Sequence, residues 1–151
     1  MTLTVTAPVA GTVTAMSEVP DPVFAQEIVG PGVAIAPDAG SDTAVAPISG
    51  KLVKLHPHAF VIVGDGGAGV LVHLGIDTVK LHGEGFTLRA AEGDEVSAGD
   101  PIVEWSPPDV ESAGYSSVVP VVALDAKADA LEDIAQAGQV VVGDRLFAWR
   151  R

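Results

Sequence analysis

The stretch Val70-Leu71-Val72-His73-Leu74-Gly75-Ile76-Asp77-Thr78-Val79 decides how this chain is read. Its first half is an apolar, β-branched run, the pattern of a buried strand. The run meets Gly75 and then a short turn. His73 therefore stands at the strand's end, where a side chain can emerge at a surface. With no side chain of its own, Gly75 leaves its backbone accessible, and its carbonyl can hold one ring N–H of His73. That would fix the tautomer and leave the lone pair of the other nitrogen free for attack.

A second histidine group, His56-Pro57-His58-Ala59-Phe60, opens the preceding strand. The glycine-rich turn Gly64–Gly69 folds the two strands into a hairpin, so the start of one opposes the end of the next. His58 and His73 are thereby brought side by side. Two like charges ~4 Å apart at an effective dielectric of ~20 repel by about 4 kcal/mol. Both imidazoles cannot readily be cationic near neutral pH. One remains a nucleophile while the other donates a hydrogen bond to an incoming anion. Such a pair suits phosphoryl transfer or a metal.

The rest of the chain sets the frame. Its 151 residues suit one domain, residues 1–151. It is 48% hydrophobic but only 5% aromatic, with 17 Gly and 11 Pro, the composition of short strands and tight turns. Strands are expected near 3–6, 11–16, 32–36, 43–46, 50–55, 59–63, 69–74, 85–89, 101–105, 118–124 and 145–149. Short helical turns are expected at 23–29 and 109–113. The longest helical candidate, Ala128–Gln136, is about two and a half turns. Two internal echoes suggest duplication: the stretch Ala7–Val13 resembles Ala46–Leu52, and Val96–Trp105 resembles Val140–Trp149, each a Pro or Gly-Asp turn feeding a short strand. The fold expected is all-β, a sandwich with internal pseudo-symmetry.

A net charge of −12 and a pI near 4.4 oppose nucleic acid and anionic lipid as partners. They suit a protein partner with a basic face. The absence of cysteine removes disulfide and thiolate chemistry. No signal peptide or membrane span is evident, so a cytoplasmic location without direct membrane insertion is expected.

Several stretches then carry a resemblance in order and spacing over almost the whole chain. They are Val19–Ala25, Val29–Pro37, Ala46–Gly50, His58–Phe60, Val72–Val79, Leu81–Phe86 and Gly99–Asp100. The chain resembles the glucose-class enzyme IIA component of the phosphoenolpyruvate-dependent sugar phosphotransferase system. That resemblance implies an antiparallel β-sandwich of duplicated hybrid units with a few short helical turns. It implies that His73 accepts a phosphoryl group from the carrier protein HPr through Nε2, and that His58 contacts the group. It further implies that Asp21 and Asp77 lie beside the site, with Val23, Phe24, Ile28 and Val29 in an apolar partner-binding patch. The phosphoryl group would then pass to a cysteine on an enzyme IIB domain of a sugar permease. Regulated permeases or kinases are further partners of such proteins. No cofactor is expected; an incidental zinc at His58 and His73 is the one metal the pair would take up.

Two departures from the family pattern stand out. His56 occupies the place of a usual threonine, so a hydroxyl that would orient His58 is replaced by an imidazole. Residues 3–6 already read as the first strand, so membrane association through an N-terminal tail is not expected. Met1 and the C-terminus favour a free protein over an excised domain. His82 is expected to cap a loop and take no catalytic part.

Two other classes compete. His56-x-His58 and His73-x-x-x-Asp77 resemble ligand motifs of lysostaphin-type zinc endopeptidases, but in reversed order. Asp125-Ala126-Lys127-Ala128 faintly resembles the modified-lysine turn of a lipoyl or biotinyl carrier, although Lys127 opens a helical segment.

Overall fold

Runs of β-branched residues cut by Gly and Pro fold as short antiparallel strands in the computed structural model, which describes residues 2–151. In chain order they are β1 (Thr2–Thr6), β2 (Gly11–Ala15), β3 (Gly32–Pro37), β4 (Thr43–Val45), β5 (Gly50–His56), β6 (Ala59–Val63) and β7 (Gly69–His73). There follow β8 (Thr87–Leu88), β9 (Glu95–Val96), β10 (Pro101–Glu104), β11 (Val119–Ala123), β12 (Leu131–Glu132), β13 (Gly138–Val140) and β14 (Arg145–Arg150). A large sheet has the order β13-β2-β3-β11-β7-β6-β5-β9, and two small ones have the orders β1-β14-β12 and β4-β10-β8. The expected mostly-β sandwich is what forms.

Alternation along the central strands divides the apolar residues between two faces. Val33 and Ile35, Val70 and Val72, and Val119 and Val121 join the main core with Leu146, Phe147 and Ile102 of the small sheets. Ala34, between Val33 and Ile35, and Val122, next to Val121, face the other way, into a second cluster with Met16, Val19, Phe24 and Ile76, and Leu71 packs against it. This outer cluster underlies the functional site.

The two echoes meet each other. Ala7 N–H donates to Asp144 O at 2.8 Å, and Ala46 N–H donates to Asp100 O at 2.9 Å. Thr6 N–H reaches Pro47 O at 3.0 Å while Val45 N–H reaches Pro8 O at 2.9 Å, a reciprocal exchange between the two Ala-Pro loops. Asp100 and Asp144 close matching turns, accepting from Ser97 N and Val141 N at 2.8 and 2.9 Å. The glycines before them, Gly99 and Gly143, have φ of 95° and 93°, a left-handed conformation that glycine adopts without a Cβ clash. The internal duplication is therefore present in the backbone hydrogen bonds.

Two short helices form where turns were expected. α1 (Pro22–Ala25) is capped by the Asp21 side chain, which accepts from Val23 N at 2.9 Å, with Pro22 in the first turn. α2 (Pro107–Ser112) is capped by Ser106 in the same way.

The expected helix over Ala128–Gln136 does not form. Residues 128–130 make one 3-10 turn, and Leu131 and Glu132 pair with Trp149 and Ala148 as β12. Helix propensity over nine residues is too weak to stand without an apolar face to bury. Here only Leu131 is buried, and the edge of β14 offers it both a ladder and a core. The two-residue strand β9 and the edge strand β13 were not expected either; their segments are mostly exposed and carry little pattern.

Candidate functional site

The register of three neighbouring strands builds the site. Ala59 lies opposite His56 on one side and opposite His73 on the other. Directly opposed residues in antiparallel pairs project from the same face. The row His56–Ala59–His73 thus crosses the outer face of the sheet. His58, in the two-residue turn before β6, adds its ring to this row. Its ring centroid lies 5.7 Å from His56, stacked at 22°, and 5.3 Å from His73, edge-on at 68°. The hairpin is closed at this end by Leu74 N–H donating to His58 O at 2.7 Å. The expected juxtaposition of His58 and His73 is realised.

Beyond β7 the chain curls back. Gly75 has φ +81°, and a Cβ there would lie 2.6 Å from Thr78 Cγ2 and 2.7 Å from Ser116 O. Both the conformation and the space demand glycine. The curl is pinned by Thr78 Oγ1 donating to Leu74 O at 2.7 Å and by Gly75 N–H donating to Val118 O at 3.1 Å. As a result the Gly75 carbonyl lies 2.5 Å from His73 Nδ1. A carbonyl can only accept, so Nδ1 carries the proton and Nε2 keeps its lone pair.

Burial lowers the proton affinity of His73; the Gly75 hydrogen bond, then Asp21 and Asp77, oppose that shift. His58 is lowered by burial first, then by the charges of His73 and His56. The geometry therefore favours a neutral His73 ring near pH 7, with carboxylates positioned to stabilise positive charge that develops on it.

The apolar residues around the site divide. Ile28 is 66% exposed and Val23 41% exposed, while Val29 is half-buried against the outer cluster. Phe24 is not part of an exposed patch. It is 7% exposed, and its ring lies 5.2 Å from that of His73. Of the pair four residues apart, one packs under the histidine and the other projects to solvent. Val79, 55% exposed on the turn that carries Asp77, joins the exposed apolar residues. Its only mark in the sequence is an apolar residue directly after a polar strand-end turn. The stack of His56 on His58 was also not anticipated, although the His-x-His spacing at a strand end is its signal. His82 caps the 3-10 turn Thr78–Leu81 with φ 53°, as expected.

Among the described residues, no three His, Asp or Glu side chains gather to hold a metal ion. His56, His58, His73 and Asp77 thus do not assemble a zinc-hydrolase ligand set. Lys127 precedes a 3-10 turn rather than occupying a hairpin tip. No helix of the described residues is long and apolar enough to cross a membrane.

A half-buried histidine with a fixed tautomer, a second imidazole at its edge and carboxylates alongside form, on this β-sandwich, an arrangement chemically able to take up a phosphoryl group at a ring nitrogen. Residues 3–128 match the model of the phosphoenolpyruvate-dependent sugar phosphotransferase system, EIIA 1 family. Over 98% of this chain and 96% of the other, the fold matches glucose permease IIA from Mycoplasma capricolum, with a TM-score of 0.89 and 35% sequence identity. The chain belongs to the EIIA 1 family and is a phosphotransferase component of that sugar-uptake system.

Proposed function

We propose that the whole chain works as one phosphocarrier domain, in the cytoplasm, between HPr and the enzyme IIB domain of a permease for glucose or a closely related sugar. In the first step Nε2 of His73 attacks the phosphorus carried by HPr. A phosphorus–nitrogen bond forms at Nε2, and the bond to the donor group breaks, the donor leaving with its electron pair. The ring gains positive charge while Nδ1 keeps its proton on the Gly75 carbonyl, and Asp21 and Asp77 stabilise that charge. His58 donates an N–H to a phosphoryl oxygen. In the second step a cysteine thiolate of enzyme IIB attacks the same phosphorus, and His73 leaves as neutral imidazole. Such transfer depends on positioning and electrostatics more than on covalent help from the protein.

The observation that carries this reading is the His73 Nδ1 contact with Gly75 O, with the His58 ring 5.3 Å away. Family membership supports the partners, and the likeness to glucose permease IIA of Mycoplasma capricolum supports the sugar. Incubation with phosphoenolpyruvate, enzyme I and HPr should add one phosphoryl group to the intact protein and none to His73→Ala. Equal labelling of that variant would overturn the assignment.

A further inference from the structure

His58 has no evident anchor of its own. Among the described residues, no hydrogen bond holds either of its ring nitrogens, unlike His73, whose Nδ1 is tied to the backbone. What it does have is a ring on each side. His56 lies against one face at 5.7 Å and 22°, and His73 meets its edge at 5.3 Å and 68°. Ala59, in register between His56 and His73, carries the smallest side chain that still has a Cβ and is 6% exposed. A longer side chain there would occupy the space between the two flanking rings.

We infer that His56 is a positioning residue for the phosphoryl transfer: it holds the His58 ring by stacking, so that His58 meets the phosphoryl group on His73 at a fixed angle. The inference rests on the functional reading above and adds a third histidine to it. His56 acts through His58 and does not itself touch the phosphoryl group. Its position on β5, opposite Ala59 and one proline away from His58, sets its ring beside its target. Proline at residue 57 restricts φ and stiffens the two-residue turn between the stacked rings.

Aromatic pairs contribute about 0.5–1.5 kcal/mol beyond burial, which is about two- to tenfold in rate when the pair orients a group in the transition state. His56→Ala should therefore lower the rate of transfer from phospho-HPr about two- to tenfold at saturating donor, with KM within about twofold of wild type. His56→Phe, which restores a flat ring, should recover most of that loss. In a His58→Gln background, His56→Ala should cause no further loss, because the residue it positions is gone. In parallel, the His58 ring proton shifts measured by NMR should move in His56→Ala and return towards wild type in His56→Phe. Unchanged His58 shifts in His56→Ala, or a loss that persists undiminished in the His58→Gln background, would overturn the inference. The NMR arm does not depend on phosphoryl transfer. A wild-type protein that takes no phosphoryl group overturns the functional reading, while unmoved His58 shifts overturn this one.

Discussion

The Nδ1 atom of His73 lies 2.5 Å from the carbonyl oxygen of Gly75, two residues further along the same chain. This one contact joins the fold to the chemistry. It exists because β7 ends at His73 and the chain turns back through a residue at φ +81° with no room for a side chain.

Gly75→Ala should accordingly impair both stability and transfer. The new Cβ would meet backbone at Ser116 and the methyl of Thr78, and a non-glycine residue in a disfavoured conformation costs about 1–3 kcal/mol. A lowered urea midpoint together with slower phosphorylation of the folded fraction is the expected result. Wild-type rates in a destabilised protein would separate the carbonyl's position from its role.

His58→Gln should slow transfer while leaving the fold intact. His58 is half-buried at a turn, outside both apolar clusters. Hydrogen bonds to a charged group contribute about 1.5–3 kcal/mol, so a loss of about ten- to hundredfold is expected in single-turnover transfer. Wild-type rates both from HPr and to enzyme IIB would make His58 a bystander.

The pH dependence has a definite sign. Both His58 and His73 have proton affinities lowered from the ordinary value of 6.5, chiefly by burial. The unfolded chain therefore binds these protons first as the pH falls. Their contribution to stability is full above 6.5 and is lost as the pH falls through the folded-state values. The urea midpoint should decline below that pH, and less so in His58→Gln. Asp21 and Asp77 raise the proton affinity of His73, so Asp21→Asn with Asp77→Asn should move its NMR titration to lower pH. Asparagine also caps helices, so α1 should survive the change. A titration that stays in place would remove the carboxylates from the electrostatics of the site.

Partner docking should follow exposure rather than hydrophobicity alone. Ile28→Ser and Val79→Ser alter exposed side chains and should weaken transfer from HPr and to enzyme IIB while changing stability by about 0.5 kcal/mol or less. Phe24→Ala should instead destabilise the protein by up to about 3–5 kcal/mol, because its ring is buried in the outer cluster against His73. Titration of each variant with HPr by calorimetry, beside a denaturation curve, distinguishes the two. Removing the Asp21 and Asp77 charges should also flatten the salt dependence of association.

Much of this was legible in the sequence because it follows local rules. The hairpin that pairs His58 with His73 is set by Gly64–Gly69, and the tautomer by a glycine two residues past the histidine. The echo of Ala7-Pro8 in Ala46-Pro47 reappears as reciprocal backbone hydrogen bonds. Residues decided by tertiary competition were less legible. The segment 128–136 has helical composition, yet Leu131 is drawn into a ladder with Trp149. Phe24 and Ile28 look alike in sequence. They part because Phe24 sits where Leu71 and Met16 form a second core on the sheet's outer face. His56 pairs with a ring whose direction depends on the turn at Pro57, which spacing alone does not fix.

Which nitrogen takes the phosphoryl group is open to direct measurement. Phosphorylated protein labelled with ¹⁵N in its histidines should show phosphorus–nitrogen coupling at Nε2 of His73, with Nδ1 still protonated on the Gly75 carbonyl. Coupling at Nδ1 of His73, or at any nitrogen of His56, His58 or His82, would contradict the account.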